Sequence, residues 1–337
     1  MAMASRSDPI RATCVPADAR LDFWVVQLDE IEMPEPRFII VGDVHGMLSE
    51  LEALIRHVSL QKSDTLVMAG DLLDRGPDSA GVVSCLCDLK TAGHQVVLVK
   101  GNHEEKHERF RNAYRRVGKP PKMTNAAEIG AITDQLGPEQ IAFLDSARLF
   151  FTIPEHNALV VHAGILPWMD AIPTQEQIDA MPGKQKAKWS QALRVRHVRG
   201  KDEQSLTLEV KSCPPIDVDE SECSANTIQT LNEARGNILS VMVKRNEIKP
   251  RGQFIPLNRA TSEDPFWAEV YDGRFGHVYF GHEPFLDGVR RFPHATGLDT
   301  GAVFGGSLSA AILESDRAPD FVSVKSGQKF AEIARSD

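Results

Sequence analysis

The 337-residue chain has no apolar run near the ~18 residues that a membrane span needs, which argues against a transmembrane protein. Its first residues, Met1 to Arg20, lack a contiguous apolar core of signal-peptide type, so the expected compartment is cytoplasmic. Cysteine is sparse. There are five, an odd number, and no Cys-x-x-Cys, which leaves a zinc ribbon or a thioredoxin motif without support. Cys85 and Cys87 lie in an apolar stretch and read as small packing residues. Cys14 stands alone, and Cys213 and Cys223 read as free thiols in a reducing compartment. Aromatic residues make up only 7% and do not interleave with basic ones, so no stacking platform for single-stranded nucleic acid is indicated. Positive charge is in deficit. The net −9 repels nucleic acid and anionic membranes in bulk. An anionic substrate must therefore be held by local positive charge, from a metal or a few arginines. Nothing else is extreme: 42% hydrophobic and 25% charged residues exclude wholesale disorder and a fibre.

Length allows one large α/β domain or about two units of ~150 residues. Residues 1–36 contain no repeat and end at Pro34 and Pro36, and they read as an N-terminal extension. From Arg37 the pattern becomes regular. Phe38 to Val41 is a short continuous apolar run of buried-strand type, followed by a helix with Leu48, Leu51, Leu54, Ile55 and Val58 on one face. A second strand is expected from Thr65 to Ala69, a helix from about Ser79 to Leu89, and a third strand from Val96 to Val99. Strands and helices alternating at this spacing imply parallel βαβ units. Residues 126–147 read as helical, and strands are expected at 149–153, 158–161, 277–280, 307–313 and 321–324. The polar stretch 200–262 reads as an insertion or cap rather than sheet core, and 326–337 as a C-terminal tail on a domain spanning 37–325.

Five of these strands run out into residues of ligand type: Asp43 and His45, Asp71, Asn102 and His103, His162, and His282. Functional groups gather at the carboxyl ends of strands in open α/β sheets. A buried cluster of carboxylates and imidazoles is costly without a cation. Mixed oxygen and imidazole donors suit Mn, Fe or Zn better than Ca or Mg. Two Asp, one Asn and three His suffice for two divalent cations sharing a bridging carboxylate. Such a pair clamps a phosphoryl group and lowers the pKa of a bridging water. In-line attack leaves an oxygen that needs a proton from the far side. His103 can supply it, with Asp74 holding the imidazole charged and aimed. Arg75 can fork onto two phosphate oxygens.

The sequence Gly42-Asp43-Val44-His45-Gly46, then Gly70-Asp71-Leu72-Leu73-Asp74-Arg75-Gly76, then Gly101-Asn102-His103-Glu104 resembles the phosphoprotein-phosphatase type of calcineurin-like metallophosphoesterase. The resemblance spans roughly 37–324. It implies a four-layer α/β/β/α sandwich with a dinuclear metal site at the strand ends. It assigns Asp43, His45 and bridging Asp71 to one side and Asn102, His162 and His282 to the other, with His103 as acid, Asp74 as its partner and Arg75 as phosphate clamp. Manganese is the first expectation for the metals, with Fe, Zn and Co as alternatives. Gly281-His282-Glu283, Gly297-Leu298-Asp299-Thr300-Gly301 and Gly305-Gly306-Ser307-Leu308 look like the symmetrical diadenosine-tetraphosphatase branch. Leu193-Arg194-Val195-Arg196 looks like that branch's arginine pair, which together with Asn102 makes Arg194 and Arg196 candidate phosphate contacts. Met47 stands where the branch commonly has Cys, and His162-Ala163-Gly164 replaces the His-Gly-Gly of protein phosphatases.

The expected activity is therefore a metal-dependent phosphohydrolase of dinucleoside polyphosphates. A phosphoprotein or an RNA end or polyphosphate is the alternative substrate, and a phosphate-binding scaffold without turnover the non-enzyme alternative. Seven of the eleven histidines, His57, His94, His107, His156, His197, His277 and His294, read as ordinary core or surface residues. Glu104 and Glu105 read as helix-start acids favoured by the dipole. Arg109, Arg111, Arg115, Arg116, Lys119 and Lys122 read first as a solvated helix face and second as a positive rim for a polyanion.

Overall fold

The computed structural model describes residues 35–199, 253–256 and 259–333. β1 (Phe38–Val41), α1 (Leu48–His57), β2 (Thr65–Met68), α2 (Ser79–Thr91) and β3 (Gln95–Leu98) are the expected βαβ units, and their strands pair in parallel. α3 (Asn102–Val117) starts at the end of the β3 loop. The single helix expected over 126–147 is two, α4 (Ala126–Thr133) and α5 (Pro138–Asp145). Gly137 breaks it with an extended backbone and lets Pro138 open the second at its first turn, where a missing N–H costs nothing. β4 (Phe150–Ile153), β5 (Ala158–Val161), α6 (Gln175–Asp179), α7 (Gly183–Trp189), β6 (His197–Arg199), β7 (Gln253–Ile255), α8 (Trp267–Val270), β8 (His277–Phe280), β9 (Arg290–Arg291), β10 (Ala295–Gly297), β11 (Ser307–Leu313) and β12 (Asp320–Lys325) complete the order.

Two five-stranded sheets form, in the orders β12-β11-β1-β2-β3 and β4-β5-β8-β10-β9. The alternation of side chains along a strand then determines the layers. Ile40 and Val67 of the first sheet meet Val160 and Tyr279 of the second in a shared core. Ile39, Val41, Leu66 and Met68 point the other way, against Leu51 and Leu54 of α1 and Val82 and Leu86 of α2. Leu159, Val161, Val278 and Phe280 turn outward from the second sheet against Trp267, Ile178 and Leu193. This is the expected α/β/β/α sandwich. Strands buried on both faces are why the sequence shows continuous apolar runs rather than alternation. Cys85 and Cys87 pack into the first outer core, as their setting suggested.

The described part of the 200–262 stretch contributes β7, which pairs with β6 in a separate two-stranded sheet and joins neither large sheet. The remainder of that stretch, residues 1–34, and with them Cys14, Cys213 and Cys223, lie outside the described residues. The expected tail begins by folding back. The Ser326 amide donates to Gly306 O at 3.0 Å, and those of Phe330 and Ala331 donate to Val303 O at 2.9 and 3.1 Å. Among the described residues no helix is long and apolar enough to cross a membrane.

Candidate metal centre

The loops after β1, β2, β3, β5 and β8 converge at one end of the two sheets and bring together all six residues expected to hold metal. Asp43, His45, Asp71 and His162 are buried. Two groups of ligand atoms lie within 4.8 Å of one another, His45 with Asp71 and His103, and Asp71 with His162 and His282. Asp71 belongs to both. His45 Nε2 stands 3.6 Å from Asp71 Oδ2 and 4.0 Å from Asp43 Oδ2. His162 Nε2 stands 3.4 Å from Asp71 Oδ1 and 3.0 Å from Asn102 Oδ1.

Backbone contacts fix the imidazoles. His45 Nδ1–H donates to Leu73 O at 2.8 Å and His162 Nδ1–H to Ala69 O at 2.9 Å, which leaves each Nε2 lone pair facing the cluster. The His282 amide donates to both carboxylate oxygens of Asp43 at 3.1 Å, while its own Nε2 is buried with no hydrogen-bond partner among the described residues. His45, Asp71, Asp74, Arg75 and His282 all adopt left-handed backbone with φ between 47° and 71°. Two glycines are required by close approach. A Cβ on Gly281 would strike Asp43 Oδ1, and one on Gly101 would strike Asp71 Oδ1.

Burial and mutual charge dominate the electrostatics of the cluster. Burial, with Asp299 and Asp71 nearby, pushes the Asp43 carboxyl well above its ordinary range. Burial likewise lifts Asp299 to about 6 against the Gly301 amide. Burial drives His45 down to about 3 despite Asp71, and drives His282 well below the usual imidazole value with help from Arg196 and His162. Burial opposes charge on both Asp71 and His162, yet their mutual attraction overcomes it, lowering the carboxyl far below and raising the imidazole above their ordinary values. Oxygen acceptors crowding ring lone pairs, and a buried orphan nitrogen in His282, are the arrangement that divalent cations satisfy. The donor set fits a metal pair.

Asp74 accepts from two imidazoles, His103 Nδ1–H on Oδ2 at 2.5 Å and His107 Nε2–H on Oδ1 at 2.8 Å. Burial disfavours the Asp74 charge, but these donors outweigh it and hold the carboxyl well below the usual range. His103 Nε2 faces the cluster, 3.9 Å from Asp71 Oδ2. Arg75 Nη1 donates to His45 Nε2 at 2.6 Å and its guanidinium lies over the Phe304 ring, 5.5 Å from the centroid. A cleft of about 660 Å³ adjoins the cluster, and its lining mixes Asp71, Arg75, Asn102, Arg194, Arg196, His282 and Glu283 with Phe254, Pro256, Pro284 and Phe304. Both expected arginines reach it, but each is engaged. Arg194 pairs with Glu105. Arg196 pairs with Glu283 and donates to His282 O at 3.1 Å.

Three residues carry more than their sequence reading. Glu104 is buried at the first turn of α3 and accepts the amides of Asp71, Leu72 and Gly101 at 2.8 to 2.9 Å, so it fixes the loop that carries Asp71. His107 is a buried partner of Asp74 rather than an ordinary core histidine; its spacing of four from His103 on a predicted helix was the available signal. Arg111 leaves the solvated face assigned to the basic run, being buried and paired with Asp145.

A two-sheet sandwich with a shared-carboxylate cluster at its strand ends defines a metal-dependent phosphoesterase. The chain belongs to the calcineurin-like phosphoesterase family, whose model matches residues 36–212, and it is a phosphohydrolase of a family that uses divalent metals. Among curated relatives, the asymmetrical bis(5'-nucleosyl)-tetraphosphatase PrpE of Oceanobacillus iheyensis is 26% identical over 306 residues, 86% of this chain and 93% of its own length. The symmetrical bis(5'-nucleosyl)-tetraphosphatase of Erwinia tasmaniensis is 25% identical over 276 residues, 80% of this chain and 91% of its own. A crystal structure provisionally assigned as a diadenosine tetraphosphatase matches with a TM-score of 0.55 at 25% identity, covering 88% of this chain and 97% of that one.

Proposed function

We propose that the protein hydrolyses phosphoanhydride bonds of dinucleoside polyphosphates such as diadenosine tetraphosphate. The observation that carries this reading is the mixed lining of the cleft. Three arginines line a space of about 660 Å³ together with Asp71, Asn102 and His282, and Phe254, Pro256, Pro284 and Phe304 line it with them. A polyphosphate chain matches the arginines and a nucleobase the phenylalanine and proline side chains. The relatives named as tetraphosphatases support it at 25–26% identity.

In this reading Asp43, His45 and Asp71 hold one divalent cation, and Asp71, Asn102, His162 and His282 hold the other, manganese being the first candidate. The bound pair supplies Lewis acidity and an activated water. The chain supplies the rest. Arg75 leaves His45 and binds the phosphoryl oxygens, with Asn102 beside it. Arg194 and Arg196 exchange Glu105 and Glu283 for phosphates further along the chain. His103, aimed by Asp74, protonates the leaving oxygen from Nε2. Phe254 and Pro256, from the described part of the 200–262 stretch, contribute to the wall of the cleft.

The test is a substrate panel on manganese-reconstituted protein: diadenosine tetraphosphate, a phosphopeptide, and a 5'-triphosphorylated RNA. Cleavage of the dinucleotide to two ADP is expected. ATP plus AMP would move the scissile bond to the asymmetrical position, and phosphopeptide turnover far above the dinucleotide rate would overturn the reading.

A further inference from the structure

The Asp74 carboxylate holds two histidines where proton donation through His103 needs one. Its backbone is pinned, with φ at 70° and its amide donating to Ser79 Oγ at 2.9 Å. Its carboxylate plane is not pinned by the backbone, because the torsion to a planar group is broad. One imidazole on Oδ2 leaves that rotation partly free. A second donor on Oδ1 removes it. His107 is that donor, at 2.8 Å, and it sits one turn after His103 on the same face of α3. The helix that carries Asn102 and His103 therefore also carries the group that orients the partner of His103.

Packing alone does not account for this residue. His107 has no exposed surface, and its Nδ1 is buried without a hydrogen-bond partner among the described residues. An apolar side chain would fill the space without stranding a ring nitrogen. What the imidazole adds is the Nε2–H···Asp74 contact.

We propose that His107 is a positioning residue for proton donation: it locks the Asp74 carboxylate so that Oδ2 keeps His103 Nε2 directed at the leaving group. The proposal rests on the reading of His103 as the acid, and the test separates the two. A leaving group that departs readily needs little protonation, whereas a basic one depends on it. Manganese-loaded full-length protein is assayed on p-nitrophenyl phosphate and phenyl phosphate. His103→Ala should slow phenyl phosphate far more than p-nitrophenyl phosphate; equal slowing would overturn the acid reading itself. With that gradient present, His107→Phe should lower kcat for phenyl phosphate about tenfold, leave KM unchanged and barely touch p-nitrophenyl phosphate. His107→Gln, whose amide nitrogen occupies the place of Nε2, should restore most of the loss. Equal slowing of both substrates by His107→Phe would overturn the positioning role while leaving His103 in place. Should the Phe variant not fold, His107→Gln against His107→Asn decides. The shorter amide falls short of Asp74 and should be the slower on phenyl phosphate, and equal rates would overturn the proposal.

Discussion

Glu104 and Glu105 are neighbours on the first turn of α3, yet neutralising them should have very unequal consequences. Glu104 Oε2 accepts the amides of Asp71 and Gly101, and Oε1 accepts that of Leu72. Burial, with Asp71 nearby, raises its carboxyl, which is the cost of placing a second carboxylate there. Glu104→Gln leaves one acceptor oxygen. Turned to its better orientation, the amide keeps the two amides on that oxygen and sets its NH2 against the Leu72 N–H. One buried backbone donor is then unsatisfied, at ~1–3 kcal/mol, and two charge-assisted bonds become neutral, at about half their strength. The sum is roughly 2.5–6 kcal/mol, or, at about 2.1 cal/mol/K of unfolding entropy per residue, a fall in Tm of roughly 4–8 °C for a chain of this size. Glu105→Gln breaks only the pair with Arg194, whose side chain is 41% exposed, and should cost less than ~1 kcal/mol. Scanning calorimetry of the two metal-free variants in parallel checks this. Equal melting temperatures would show that the Glu104 contacts do not hold the Asp71 loop, and the reasoning would fail.

Because Asp71 is common to both ligand groups, Asp71→Asn should strip metal from both halves at once, whereas Asp43→Asn should weaken one; elemental analysis of metal per chain distinguishes them, and full retention in Asp71→Asn would refute sharing. His103→Ala should keep its metal and lose roughly 100- to 10,000-fold in kcat, so a normal kcat removes it from the reaction. Arg37 donates to Asp64 at 2.6 Å, and although burial opposes ionisation, that pairing and the Gln61 amide hold the Asp64 carboxyl below its ordinary value. The stability it contributes is complete above the ordinary carboxylate pKa and disappears as pH falls through the lowered one. Asp64→Asn should therefore cost about 1 kcal/mol at neutral pH and flatten the fall in Tm as pH drops below the ordinary carboxylate value of about 4. An unchanged acid profile would place that dependence elsewhere.

What the sequence made legible follows from burial. β1 and β2 are covered on both faces, so each appears as an apolar run that ends conspicuously at a carboxylate, Asp43 or Asp71, and the apolar run of β3 ends within three residues of Asn102. Pairings between distant segments carry no such mark. Arg196 meets Glu283 across 87 positions and Arg194 meets Glu105 across 89, and nothing local in either arginine distinguishes a free phosphate clamp from one already engaged. His107 fell between these cases. Its spacing from His103 was visible, but the carboxylate it serves lies 33 positions earlier on another loop.

The left-handed backbone at His45, Asp71, Asp74, Arg75 and His282 was hidden for a different reason. Glycine ordinarily marks such positions, and here chemistry requires a side chain instead. Each conformation costs on the order of 1 kcal/mol or more and persists only where its surroundings over-determine it. The two loops supply that constraint to each other. The amides of Val44 and His45 donate to Asp71 O at 3.2 and 2.8 Å, and that of Gly46 donates to Leu72 O at 2.8 Å. Glu104 grips the same Asp71–Leu72 backbone from the amide side. The strained residues of these two loops are thus held by backbone bonds between the ends of parallel strands β1 and β2. A centre assembled in this way depends on α3 as much as on the strands. Loss of Glu104 should therefore be felt at the metals, a helix turn away from any ligand it could itself provide.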